Sequence, residues 1–575
     1  MRLLAEFKRN NFFFVIIVLV LTGYQLIRVI AFASVYGGLE HDSGWFLGVS
    51  RSLAERGAYT SLVSTIADPT VLDSIDVDQK YNIQAPDGRI WFFTGNGTGP
   101  ASIVPNALIS KLFGFDFWAL RAGPLIFYTV FLIVAAYTLY QLAGIGAVLL
   151  FHIFLFCYPH LSIFLAYEAM GEVPAMFYLI SAYLLFAIAI RRQDYRQRYF
   201  FICGLIAGLA VNTKLLALLS VSGILAWGVF LWWFKPKSLR LHEGIVLGSG
   251  IILVQGVWEF IQLIVLVRLT NFESYLRHVQ QRWQFVLDDG SGLDSQSRFG
   301  LEFIGRKFFL LREVAHPERW VTALIFASIL LGGLLLLWVW RSQEYRQNLL
   351  ATIWLGWLGN TVWFVGIAKT GWPRHFWFGL VLAVVLLCTI PIALIQVGQA
   401  RIGQQEYRKT NLVLMAASWL VLALVGWGFI SQPYVWSFFL PDEIVPYWQE
   451  KRVNNNYQPT LPWIIIPRAA QAEVVEYIKH MPPEANIYYP YAHKGAEIAT
   501  LTGRINYPLE RRSYPGVAPH PADILLIHPY IVSTWVHDPT MRQDLLSQVE
   551  QVCPHPVLQN DFYMICLVEE LRLPQ

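Results

Sequence analysis

Four groups of ionisable residues stand where long apolar runs begin or end. They are Glu40, His41 and Asp42 in "GGLEHDSGWFL", Glu168 and Glu172 in "AYEAMGEVPA", Lys214 in "VNTKLLAL", and Lys369, Arg374 and His375 in "KTGWPRHFW". An aspartate beside Ser43 and Gly44 leaves room for an acceptor hydroxyl to approach, as a general base requires. The same aspartate ahead of an amphipathic run also suits a helix N-cap. Glu168 and Glu172 are one helical turn apart, but Gly171 and Pro174 start the next helix near Val173, so Glu172 either complements that helix N-terminus or meets a substrate. Lys214 interrupts an apolar stretch, where an ammonium must snorkel or pair with an anion. Arg374 offers a planar fork suited to phosphate and His375 a donor or acceptor, while Trp372, Phe376 and Trp377 fit an interfacial aromatic belt equally well. Gathered on one membrane face, these acids and bases would handle an anionic group and a proton.

The elements that must bring them together are membrane spans. Of 575 residues, 55% are hydrophobic and 14% charged, more apolar surface than a soluble chain of this length can cover. Runs long enough to span lie at 11–33, 119–142, 143–164, 171–190, 199–234, 245–267, 321–340, 348–368, 376–397 and 411–430. The run 199–234 is too long for one helix and divides at Asn212-Thr213-Lys214, so the expectation is about 11 transmembrane helices. Ala31-Phe32-Ala33 resembles a signal-peptidase site, but the run before it is too long for a signal sequence and reads as an uncleaved span. The connections fall into two alternating classes. One is short and basic: "RRQDYRQR", "KPKSLR", "RSQEYR" and "RIGQQEYRK". By the positive-inside rule this class, and the N-terminus with it, is cytoplasmic. The other class, with loops 34–118 and 268–320 and everything after Ser431, is then extracytoplasmic, and it holds all four groups.

In the first loop, Trp45, Phe46, Val49, Leu53 and Ala54 recur at helical spacing opposite Arg51, Ser52, Glu55 and Arg56. That pattern predicts an amphipathic helix, able to lie in the interface and stopped by Gly57. From Tyr434 onward, apolar runs such as "ANIYYPY" and "ADILLIHPYIV" alternate with helical stretches such as "AEVVEYIKHM" and "MRQDLLSQVEQV", which reads as a small α/β domain over 434–575 beside a membrane domain over 1–433. It has no glycine-rich phosphate loop. Cys157, Cys203 and Cys388 sit in apolar spans as small hydrophobes; Cys553 and Cys566 flank "PHPVLQNDFYMI" and suit a disulfide across a hairpin in an oxidising compartment. Asn96-Gly97-Thr98 fits a glycosylation acceptor, within flanks that read as a turn-rich loop. His278, His316 and His493 have no partner at metal-ligand spacing. A net charge of +4, parcelled among loops, argues against a nucleic-acid partner.

The order of these features resembles the GT-C superfamily of membrane glycosyltransferases, in the branch of the aminoarabinose transferases and protein O-mannosyltransferases. The stretches that carry the likeness are "LEHDSGWFLGVSRSLAERG", "TGPASIVPNALISKLFG", "WALRAGPLIF", "YEAMGEVPAMFYL" and "GLIAGLAVNTKLLALL". The resemblance implies a polyprenyl-phosphate sugar donor, an acceptor lipid, glycan or protein, and surrounding membrane lipids as partners, in a bacterial inner or plasma membrane. It implies Asp42 as the catalytic base and Lys214 with Arg374 and His375 on the phosphate; Glu40, His41, Glu168 and Glu172 are expected beside them as further substrate contacts. Many members carry Asp-Glu or Asp-x-Asp in the first loop, whereas this chain has Glu40-His41-Asp42-Ser43, which leaves a divalent metal without support. From another class, a transporter or flippase of a lipid-linked or anionic substrate, or a non-catalytic envelope scaffold, would share the composition; charges at one face and the absence of matching halves speak against the transporter.

Overall fold

A computed structural model describes residues 10–35, 38–39, 41–64, 83–85, 87–92, 98–157, 164–192, 194–288, 304–305, 307, 319–368, 373–401, 466–490, 494–509, 512, 519–528, 547 and 551–571. Glu40, Lys369, Asn96, His316, His493, the expected span 411–430 and most of "MRQDLLSQVEQV" lie outside them.

The membrane region is an α-helical bundle. In chain order its helices are α1 (Asn10–Val35), α2 (His41–Arg56), α3 (Pro100–Phe113), α4 (Phe117–Ala143), α5 (Ile145–Cys157), α6 (Phe164–Tyr167), α7 (Glu172–Arg191), α8 (Arg196–Thr213), α9 (Ala217–Phe234), α10 (Leu241–Leu269), α11 (Phe272–Asp288), α12 (Arg319–Val339), α13 (Glu344–Val362) and α14 (Trp377–Arg401). Among the described residues, eight helices are long and apolar enough to cross a membrane. The chain is an integral membrane protein. The run 199–234 does divide at Lys214, into α8 and α9.

Apolarity alone does not sort these helices, because lipid is as apolar as leucine; shape and polar contacts do. The α7 and α14 helices are largely buried among the others, whereas α1 and α10 present Leu19, Val20, Ile27, Ile252, Val257 and Phe260 outward. Interhelical hydrogen bonds fix the interior register: Tyr183 Oη donates to the Ser220 carbonyl at 2.8 Å, Trp227 Nε1 to Asn348 Oδ1 at 2.7 Å, and Asn360 Nδ2 to Ser220 Oγ at 2.7 Å.

Three of the basic loops, 191–198, 235–240 and 341–346, meet at one end of the bundle. There Arg196 pairs with Glu243 at 3.2 Å and donates to the Ser238 carbonyl, while Ser238 Oγ donates to Glu344 Oε1 at 3.2 Å. A cavity of about 390 Å³ lined by Gln141, Arg191, Gln343 and Arg346 lies at the same end.

At the opposite end sits a sheet made from two distant stretches of chain. The first loop supplies β1 (Thr60–Ser64), β2 (Ile83–Gln84) and β3 (Arg89–Trp91); the C-terminal region supplies β4 (Ile487–Tyr489), β5 (Asn506–Pro508), β6 (Ile524–Ile527), β7 (Leu558–Gln559) and β8 (Met564–Leu567). The order is β2-β3-β1-β5-β4-β6-β8-β7, with the β1–β5, β5–β4 and β4–β6 pairs parallel. Val63 opposite Asn506 is the register that joins loop to tail. Parallel strands covered on both faces read as unbroken apolar runs, which is why "IYY" and "ILLI" do not alternate. The C-terminal helix α15 (Arg468–His480) covers the sheet with Val474 and Ile478, and α16 (Ala496–Thr502) follows β4. Cys553 and Cys566 are disulfide-bonded, the latter on β8.

The predicted first-loop helix forms and ends at Arg56, with Gly57 at φ +65°. It is covered by protein on two faces. One face packs Phe46 and Leu47 against Leu120 and Ala169 of the bundle, and the other packs Trp45 against Leu62, Tyr489, Ala496 and Ala499 of the sheet region. This helix is the joint between the two regions.

Candidate functional site

Asp42 lies in the first turn of α2, because the helix begins at His41; it is therefore not the N-cap. A carboxylate there faces the positive end of the helix dipole. The next residue, Ser43, is fully buried and its Oγ accepts from the Ala169 backbone N–H at 3.1 Å, which ties the turn to the segment carrying Glu168.

Glu168 is buried and stands 3.6 Å from the guanidinium of Arg121, which is itself fully buried. Arg121 Nη1 donates to the Tyr167 carbonyl at 2.6 Å and Nη2 to the Gly38 carbonyl at 2.9 Å, and its planar group lies over the Phe117 and Tyr167 rings. Burial raises the Glu168 carboxyl above its ordinary range; Arg121 and a Ser43 hydrogen bond oppose the rise, and the charge of Asp42 adds to it. Two carboxyl groups thus share one region, held in different environments.

Glu172 opens α7, and Lys214 opens the break between α8 and α9. They meet: Lys214 Nζ is 2.9 Å from Glu172 Oε1 and also donates to the Met170 carbonyl at 3.1 Å. Thr98 Oγ1 donates to that carbonyl at 2.8 Å, and a backbone bridge joins Thr98 to Lys214. The ammonium therefore stands between the end of the first loop and the start of α7, largely enclosed.

The turn before α14 is a short 3-10 helix, Pro373–Phe376, which holds Arg374 and His375. It follows a π-helical segment, Trp363–Ile367, at the end of α13. Phe376 stacks on Phe364 at 5.1 Å, and the buried ammonium of Lys307 lies 4.5 Å from the Phe364 ring centroid. Burial pushes Lys307 down to about 8.

His41 accepts a hydrogen bond on one ring nitrogen and faces a carboxylate with the other. Trp45 Nε1 donates to Nε2 at 3.0 Å, and Nδ1 faces Glu497 Oε2 of the C-terminal region at 3.6 Å. Lys494 lies over the Trp45 ring at 5.6 Å.

The structure thus brings His41, Asp42, Glu168, Glu172 and Lys214 to one end of the bundle. Sequence reasoning did not nominate Arg121, Lys307 or Glu497. Arg121 had a signal in the sequence, a lone arginine inside an apolar run. Lys307 and Glu497 had none, since only packing buries them. Among the described residues, no three His, Cys, Asp or Glu side chains are grouped as a metal site.

No protein-family model and no curated protein sequence matches the chain. Solved structures do. ArnT from Cupriavidus metallidurans in the apo state superimposes with a TM-score of 0.54 at 13% identity, covering 97% of this chain and 99% of that one. The same protein bound to undecaprenyl phosphate matches with a TM-score of 0.54 at 14% identity, over 97% and 99% of the two chains. The apo oligosaccharyltransferase of Archaeoglobus fulgidus has a TM-score of 0.46 at 12% identity, over 92% of this chain and 72% of that one. The chain shares the fold of ArnT over nearly the whole of both chains.

Proposed function

We propose that this protein transfers a sugar from a polyprenyl-phosphate donor to an acceptor hydroxyl or amine at the extracytoplasmic membrane face, with inversion. The observation that carries the reading is Asp42 in the first turn of α2, beside Ser43 and Glu168, on the same end of the bundle as the Lys214 ammonium. The whole-length likeness to ArnT, a protein solved with undecaprenyl phosphate, supports the donor class.

In this mechanism Asp42 takes the acceptor proton as the acceptor atom bonds to the anomeric carbon. The bond from that carbon to the phosphate oxygen breaks, and the lipid phosphate leaves with the electron pair. Lys214, with Arg374 and His375, stabilises charge building on the phosphate. Glu168 and Glu172 hold sugar hydroxyls or steady the cationic sugar ring, and Glu40 and His41 are further substrate contacts. Residues 1–433 form the catalytic unit and 434–575 the extracytoplasmic unit, and the basic end of the bundle is cytoplasmic.

The test is transfer of labelled sugar from polyprenyl phosphate in proteoliposomes. Asp42→Asn is expected to lower kcat by roughly 10²–10⁴-fold, the usual contribution of a positioned base. Full activity in that variant would sink the assignment, and movement of lipid-linked sugar across the bilayer without transfer would favour a flippase.

A further inference from the structure

Three side chains of the C-terminal region converge on the residues that lead into Asp42. Gln471 grips the backbone of Leu39 at two points: its Nε2 donates to the Leu39 carbonyl at 2.7 Å, and its Oε1 accepts from the Leu39 N–H at 2.6 Å. The same Nε2 donates to Tyr563 Oη at 3.0 Å, and Tyr563 donates to Glu497 Oε1 at 3.2 Å. Glu497 Oε2 faces His41, the residue before Asp42. Gln471, Glu497 and Tyr563 are all buried. Burial, with the Glu497 charge second, holds the Tyr563 phenol well above its ordinary range, so it is a donor at any physiological pH.

The His41 tautomer follows from its neighbours. An indole N–H only donates, so Nε2, which receives it from Trp45, carries the lone pair, and a neutral ring then has its proton on Nδ1, toward Glu497. His528 lies edge-on to Tyr563 at 4.5 Å and is held neutral, burial and then the nearby His41 pushing it down to about 3. The backbones are equally close. A Cβ on Gly44 would overlap the Glu497 backbone nitrogen, and Thr500 Oγ1 donates to the Gly44 carbonyl at 2.6 Å.

We propose that Glu497 is a positioning residue for the general base: from the C-terminal domain it faces the Nδ1 proton that the Trp45 indole assigns to His41 and, with Gln471 and Tyr563, holds Leu39 and the first turn of α2 in catalytic geometry. The inference rests on the transferase reading of Asp42. It makes the soluble domain part of the active site without supplying a reacting group.

The test compares Glu497→Gln, Tyr563→Phe and the double variant Trp45→Phe/Glu497→Gln with the wild-type full-length protein. An amide at 497 satisfies Tyr563 only by turning its NH₂ toward the Nδ1 proton, or forces the other tautomer, whose Nε2 proton then opposes the Trp45 indole. Hydrogen exchange of the 38–46 peptide should quicken about tenfold in Glu497→Gln, the scale of one unsatisfied buried polar group, while the 468–480 helix exchanges as in the wild type. Transfer from undecaprenyl-phosphate sugar should lose kcat on the order of 10²-fold with KM for the donor unchanged, as for a misplaced base. Tyr563→Phe, which removes only one oxygen, should move both readouts the same way. Removing the indole donor should restore protection and part of kcat in the double variant. Wild-type exchange in Glu497→Gln, or a double variant whose losses simply add, would overturn the proposal. A wild-type protein that transfers nothing yet shows this exchange pattern would instead overturn the transferase reading and leave the clamp standing.

Discussion

Replacing Arg121 by Met would separate a charge effect from a packing effect at the heart of the site. The arginine is fully buried, stands 3.6 Å from Glu168, and donates to the carbonyls of Tyr167 and Gly38. Methionine is close in length and fills the space beside Phe117 and Tyr167, so the change is chiefly electrostatic. Removing one partner of a buried pair costs about 3–5 kcal/mol, because the other charge is left uncompensated. Adding Glu168→Gln removes that charge, so the double variant should recover about 1–3 kcal/mol relative to Arg121→Met alone, the remaining loss coming from the two carbonyls. The pH dependence has a definite sign. Glu168 lies above its unfolded value, so the folded state binds the extra proton, and this group's stabilisation is present at low pH and is lost as pH rises from the ordinary carboxylate range toward the folded value. Arg121 opposes that rise; without it the penalty should be small near about pH 4 and grow toward neutrality. The assay is unfolding in mixed detergent micelles followed by tryptophan fluorescence at several pH values. A double variant as unstable as Arg121→Met, or a penalty independent of pH, would refute the reasoning.

Two further outcomes follow from the junction and the sheet. Gly44→Ala must push α2 from α16, since the new Cβ overlaps Glu497, and should destabilise the protein by about 1–3 kcal/mol while quickening exchange in both 38–46 and 496–502. Cys553→Ser opens the disulfide to Cys566, 13 residues away, and should cost the C-terminal region about 3 kcal/mol, seen as earlier loss of protection in β6 and β8; a variant as protected as the wild type would show that the sheet does not depend on the link.

What the chain's own pattern determined is the membrane architecture and the residues at its edge. Run length and charge are local properties, so eight of the spans, the break at Lys214 and the meeting of three basic loops at one end were readable, as was the 41–56 helix from its 3.6-residue period. Helix type was less ambiguous than helix surroundings: the same amphipathic pattern suits a membrane surface or a protein interior, and α2 proved to be covered on both faces.

Tertiary structure decided which charges meet. Nothing in spacing pairs Glu172 with Lys214, Glu168 with Arg121, or His41 with Glu497, because each pair joins separate elements and some are hundreds of residues apart. The sheet shows the same limit. Strands are short local motifs, but pairing is a long-range choice, and β1 of the first loop, packed on α2 through Leu62 and Val63, sits beside β5 with Val63 opposite Asn506. Sequence thus placed Asp42 beside Ser43 at the start of an amphipathic helix; the fold alone brought Glu168 and a clamp from the far end of the chain to it.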